Sequence, residues 1–161
     1  MRVGSGFDVH AFGPGDSVVL GGVRVPHSRG VLAHSDGDVL LHALVDAMLG
    51  AAGLGDIGQH FPDSDPQWRG ADSSRFLAAA AQMLARRGQR VLNVDLTLLA
   101  QSPRISVWRD QIRRNIALKL GLRESEVNLK ATTTEHLGFI GRSEGLAAMA
   151  TVLIDGDSTA T

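Results

Sequence analysis

The chain has 161 residues and a mass of 17.0 kDa, enough for one domain with a real core and too short for a multidomain assembly. Hydrophobic residues make up 43% and charged residues 20%, a globular composition that excludes disorder, while the absence of cysteine excludes disulfide frameworks, thiolate zinc fingers, iron–sulfur clusters and cysteine nucleophiles. A formal net charge of -1, with Arg86/Arg87 far from Arg113/Arg114, argues against duplex nucleic acid as a partner.

The N-terminus has no apolar signal core, and the most apolar stretch, 39–54, contains His42 and Asp46, so a cytoplasmic protein that does not span a membrane is expected. Residues 2–12 read as a strand with a Gly-rich start. VVLGGVRV at 18–25 is two β-branched runs joined by Gly21-Gly22, a hairpin signal. Residues 38–53 are helical in composition, with Ser35 and Asp38 at capping-box spacing and Gly50 and Gly53 as the stop. The Gly-, Pro- and Asp-rich segment 54–72 exceeds the about 12 to 15 residues at which structureless connections become uncommon and usually functional. Then follow a helix over 73–87, a strand over 91–100, a helix over 105–120 and final strands over 127–134 and 146–154. Strands outnumber helices, which predicts an α+β single domain over 1–155: a mixed four-stranded sheet, a small hairpin and helices packed on one face, with a frayed tail at 156–161.

Without cysteine, any metal site must use His, Asp or Glu. Asp8 and His10 flank Val9 on a strand, so they point to one face and can share an ion while Val9 turns away. His42 lies on the following helix, in a stripe with Asp38 and Asp46 that is wrong for a purely apolar face. Two His and one Asp make a three-ligand set with a vacant position, as in a catalytic zinc site, and Asp46 is expected to orient His42. Taken singly, each of these residues also fits an ordinary surface or core position. The run His34, Ser35, Asp36, Gly37, Asp38 sits directly ahead of the helix and also fits a plain cap, which His34 alone exceeds. The run Lys130, Ala131, Thr132, Thr133, Thr134, Glu135 closes a strand; its hydroxyls and backbone N–H groups suit phosphate oxygens, and Glu135 suits Mg²⁺, although a β-branched strand end reads the same way. Asp56, Asp63 and Asp65 fit turn formers as well as ligands. The surplus of glycine, 19 residues, is expected where backbone approaches phosphate, near Gly4, Gly6, Gly37, Gly58 and Gly138.

These segments, GSGFDVHAF from Gly4, LGGVRVP from Leu20, AHSDGDVLLHAL from Ala33, GAAGLGDIGQHFPDSDP from Gly50, NVDLTLLAQSPRI from Asn93 and VNLKATTTEHLGFIGRSEG from Val127, closely resemble the 2-C-methyl-D-erythritol 2,4-cyclodiphosphate synthase family of the non-mevalonate isoprenoid pathway. The resemblance implies a phosphorus–oxygen lyase that converts 4-diphosphocytidyl-2-C-methyl-D-erythritol 2-phosphate into the cyclic 2,4-diphosphate and CMP. It implies a homotrimer with active sites at subunit interfaces, Zn²⁺ on Asp8, His10 and His42, and a second ion, Mg²⁺ or Mn²⁺, on Glu135. His34 and Thr133 fall on positions that stabilise the transition state, and Asp8, Val9, His10, His34 and Ser35 lie beside substrate. Asp56, Ile57, Gly58, Phe61, Pro62, Asp63, Ser64 and Asp65 match the methylerythritol phosphate pocket. Ala100, Gln101, Ser102, Pro103, Arg104, Ile105 and Ser106, with Ala131, Thr132, Thr133, Thr134 and Glu135, match the nucleotide pocket. Phe139 and Arg142 resemble the lining of a central trimer channel that takes an isoprenoid diphosphate in some members. A zinc phosphohydrolase and a trimeric binding protein without activity are the competing readings.

Overall fold

The computed structural model describes residues 1–156; the rest of the expected tail, 157–161, lies outside the described residues. Twelve elements follow in chain order: β1 (Arg2–Gly13), β2 (Ser17–Leu20), β3 (Val23–Pro26), β4 (Gly30–Val31), α1 (Val39–Ala52), α2 (Ile57–His60), α3 (Ser74–Ala85), β5 (Arg90–Leu99), α4 (Arg109–Leu120), β6 (Val127–Thr132), α5 (Gly138–Gly141) and β7 (Gly145–Asp155). Short 3₁₀ turns at Pro66–Trp68 and Glu124–Glu126 complete the chain.

The main sheet runs β4-β1-β7-β5-β6, with β5 and β6 parallel and the other pairs antiparallel. It has five strands rather than the expected four. The extra strand is β4, whose two residues pair as Phe12 with Val31 and Gly13 with Gly30, too short a run to leave an apolar period in the sequence. The expected hairpin forms a separate two-stranded sheet, and Gly21 and Gly22 take φ +59 and +75, as a tight turn with two left-handed positions requires.

Helix α1 explains the most apolar stretch of the chain. Eleven of its residues are buried, because it is the central helix, with β1 and β7 on one side and α3 on the other. Asp38 caps it by accepting from Leu41 N–H, and Gly53 ends it in the left-handed region. Asp38 also accepts from Gly21 and Gly22 N–H at 2.9 and 2.6 Å, which docks the hairpin turn onto the start of α1.

Among the described residues, no helix covers the opposite sheet face. Val3, Phe7, Val9 and Met149 stand out of it with 69%, 56%, 43% and 52% exposure, a row of large apolar side chains in open solvent. Helix α4 starts at Arg109 rather than 105, and residues 101–106 form part of the wall of a cavity instead.

Candidate active site

The side chains of β1 alternate, so Gly4, Gly6, Asp8 and His10 share the face that meets α1. A Cβ on Gly4 would lie 2.0 Å from the Ala47 carbonyl oxygen, and one on Gly6 2.0 Å from that of Ala43. These two glycines therefore serve direct strand–helix packing and not, as expected, an approach to phosphate. The same close packing carries Asp8 and His10 up to His42, one helical step beyond Ala43.

The result is a triangle of ligand atoms. His10 Nε2 and His42 Nδ1 are 3.1 Å apart, and each is 3.1 Å from Asp8 Oδ2. Burial pushes the Asp8 carboxyl up, but hydrogen bonds to His10 and His42 and their charges outweigh this and hold it well below the usual carboxylate range. As free bases, two imidazoles together with a carboxylate can present lone pairs to one point, which suits a cation. The spacing fits as well: a tetrahedral ion with bonds of about 2.0 Å separates its ligands by about 3.3 Å. Among the described residues, Asp8, His10 and His42 are the group able to hold a metal ion.

The triangle opens into a cavity of about 480 Å³ that His34, Ser35, Ile57, Gly58, Phe61, Pro62 and Asp63 also line. Asp56, Ser64 and Asp65 do not line it. Asp56 caps α2 through Gln59 N–H at 2.9 Å, and Asp65 caps the 3₁₀ turn through Gln67 N–H at 3.0 Å. Val9 faces the uncovered side of the sheet. A second cavity, about 760 Å³, is lined by all seven residues from Ala100 to Ser106 together with Ala131, Thr132, Thr133 and Glu135. Thr133 Oγ1 donates to Glu135 Oε1 at 3.0 Å, and a left-handed turn at Glu135 and His136 (φ 51 and 63) folds that carboxylate back. Thr134, Phe139 and Arg142 lie outside both linings. Within one chain the two cavities share no lining residue.

The model of the YgbB family matches residues 1–155. The chain belongs to the YgbB family. Its similar relatives include the 2-C-methyl-D-erythritol 2,4-cyclodiphosphate synthase of Xylella fastidiosa (strain 9a5c), 60% identical over 154 residues, which are 96% of this chain and 88% of that protein. Among solved structures, a bifunctional IspDF from Campylobacter jejuni superposes with TM-score 0.92 at 46% identity, over 99% of this chain and 43% of that one. A 2C-methyl-D-erythritol-2,4-cyclodiphosphate synthase in a CDP-bound form superposes with TM-score 0.88 at 38% identity, over 96% of this chain and 100% of that one.

Two expectations about this YgbB-family site need correction. Asp46 does not touch His42; its Oδ1 accepts from Ile57 N–H at 2.9 Å, so it anchors α2 to α1. Ser35 is not part of a capping box: Asp38 is itself the cap, while Ser35 Oγ accepts from Gly37 N–H at 3.2 Å and faces His42 Nε2 at 3.2 Å. Sequence reasoning missed Asp36, Ser73, Trp68 and Phe76 around the smaller cavity and Arg109, His136 and Ser143 around the larger. Only Ser73 carried a signal, as a polar residue opening a helix.

Proposed function

We propose that the chain converts 4-diphosphocytidyl-2-C-methyl-D-erythritol 2-phosphate into 2-C-methyl-D-erythritol 2,4-cyclodiphosphate and CMP in the cytoplasm. The observation that carries this reading is the 3.1 Å triangle of Asp8, His10 and His42 beside His34 and Ser35, in a chain so similar to synthases of that name. An oxygen of the substrate's 2-phosphate attacks the β-phosphorus, the bond from that phosphorus to the bridging oxygen breaks, and CMP leaves with the oxygen. Both reacting groups belong to one molecule, so the protein supplies no nucleophile. Its task is positioning, for which effective molarities of about 10⁵ to 10⁸ M are available.

Asp8, His10 and His42 suit Zn²⁺, and Glu135, a hard oxygen donor, suits Mg²⁺ or Mn²⁺. When bound, these ions supply Lewis-acid polarisation of the diphosphate. His34 and Thr133 stabilise charge on the reacting phosphates, Ser35 donates to a phosphate oxygen, and Ile57, Gly58, Phe61, Pro62 and Asp63 enclose the methylerythritol end. The segment from Ala100 to Ser106, with Ala131 to Thr133, holds the cytidine end.

The working unit of this proposal is a homotrimer. Two features support it: the uncovered apolar row Val3, Phe7, Val9 and Met149, and the separation of the two cavities within one chain, which a neighbouring copy would bring together. An isoprenoid diphosphate in the trimer channel would meet Phe139 and Arg142; there it competes with Glu144, whose Oε1 is 2.8 Å from Arg142 Nε.

Incubation with the diphosphocytidyl substrate, Zn²⁺ and Mg²⁺, followed by phosphorus NMR, tests the reaction. The expected products are CMP and a cyclic diphosphate. Inorganic phosphate would favour the hydrolase reading, and unchanged substrate the non-enzymatic one.

A further inference from the structure

His42 turns Nδ1 towards Asp8 and His10, and its other nitrogen, Nε2, meets Ser73 Oγ at 2.8 Å. A serine hydroxyl has one proton to give, and at Ser73 it is committed: the same Oγ donates to Asp36 Oδ1, and a carboxylate only accepts. Ser73 Oγ must therefore accept from His42, which requires the ring proton on Nε2. In a neutral imidazole that leaves the lone pair on Nδ1, the nitrogen in the triangle. On the other side of the ring Asp8 Oδ2, an acceptor too, lies 3.1 Å from Nδ1, so it competes for the ring proton until a cation takes the Nδ1 lone pair and leaves the Nε2 proton to Ser73.

The relay is held from several sides. Asp36 Oδ2 accepts from Ser73 N–H at 3.1 Å, Oδ1 accepts from Asp38 N–H at 3.2 Å, and Asp36 N–H donates to the Ala71 carbonyl at 3.0 Å. Ser73 is 0% exposed, so bulk water does not compete for its hydroxyl. Ser35 Oγ also faces Nε2, at 3.2 Å, but among the described residues no carboxylate takes its proton, so it does not fix the direction of the bond.

We infer that Asp36 and Ser73 are positioning residues for the metal centre, holding His42 as the Nε2-protonated tautomer with Nδ1 free for a divalent cation. The inference rests on reading Asp8, His10 and His42 as a metal site. A carboxylate acting on a ligating histidine through an interposed hydroxyl joins the segment before α1 to the start of α3, 37 positions away in sequence.

Long-range ¹H–¹⁵N correlation spectra in a metal-free Asp8→Ala background, which lacks the competing acceptor at Nδ1, read the His42 tautomer, and chelator competition with Asp8 intact reads Zn²⁺ affinity, both without substrate. In the Asp8→Ala background His42 should show Nε2–H. In Asp36→Asn, the amide N–H₂ turns to Ser73 Oγ, freeing the hydroxyl proton to donate to Nε2, so the ring proton should move to Nδ1. Zn²⁺ affinity should fall about 10- to 100-fold in Asp36→Asn and in Ser73→Ala. Nδ1–H in the Asp8→Ala background, or folded variants with unchanged tautomer and affinity, would overturn the relay; the Asp8→Ala spectrum decides even where Ser73→Ala does not fold. Zn²⁺ binding that survives Asp8→Ala would overturn the metal-centre reading, and the relay's role with it, whereas Asp8-dependent binding with the wrong tautomer would overturn the relay alone.

Discussion

Gly6 lies directly beneath Ala43, so close that a Cβ on the glycine would fall 2.0 Å from the alanine's carbonyl oxygen. The contact sets the distance between β1 and α1, and with it the distance from Asp8 and His10 to His42. Backbone cannot yield as a flexible side chain does, so Gly6→Ala must push the helix off the strand. A destabilisation of about 3 kcal/mol or more is expected in urea unfolding, with weaker metal retention in the folded fraction. Unchanged stability would show that the strand–helix contact is softer than its geometry implies.

Asp38 gives a prediction in pH. It is 0% exposed, and burial pushes its carboxyl up to about 6 despite three backbone N–H donors, from Gly22, Gly21 and Leu41. The folded value lies above the unfolded one, so its stabilising contribution is full below about pH 4 and is lost as pH rises towards 6. Asp38→Asn cannot titrate and also turns an amide N–H₂ towards backbone donors, at a cost of about 1 to 3 kcal/mol. The stability advantage of wild type over this variant should shrink by roughly 3 kcal/mol between about pH 4 and 6 and then level off. A constant difference would mean that the N–H donors outweigh burial.

Removing one corner of the triangle should remove the ion. Asp8→Ala or His42→Ala leaves two ligands of three; isothermal titration should lose the tight Zn²⁺ site, and turnover should fall by about 10² or more. Because imidazoles bind metal as free bases, Zn²⁺ binding by the wild type should weaken on acidification. Tight Zn²⁺ binding retained in Asp8→Ala would place the ion elsewhere.

The bare sheet face predicts assembly. Phe7 and Met149 are cross-strand partners on it, and Phe7→Glu should shift sedimentation from trimer towards monomer while circular dichroism stays folded. If each site draws on two copies, Asp8→Ala and Thr133→Ala chains, each inactive alone, should regain turnover after subunit exchange. No recovery in mixed trimers would place both cavities' work within one chain.

Much of this was legible in the sequence, for reasons of period and turn chemistry. The alternation around Asp8 and His10, the Gly21-Gly22 turn and the Gly53 stop are local signals, and the structure follows them. Long-range choices were not legible. Asp46 sits at helical spacing from His42, yet the N–H of Ile57, eleven residues on, claims its carboxylate. Asp36 reaches Ser73 only because the 54–72 segment, far from structureless, folds through α2 and a 3₁₀ turn and brings its end back. A two-residue strand such as β4 has no period to read.

Turnover in ¹⁸O-labelled water, with mass spectrometry of the products, distinguishes attack on the β-phosphorus by the substrate's own 2-phosphate from attack by water. Internal attack gives a cyclic diphosphate and CMP that both carry no solvent oxygen, which is the expected result; an open-chain bisphosphate with one ¹⁸O would contradict internal attack and mark the chain as a hydrolase.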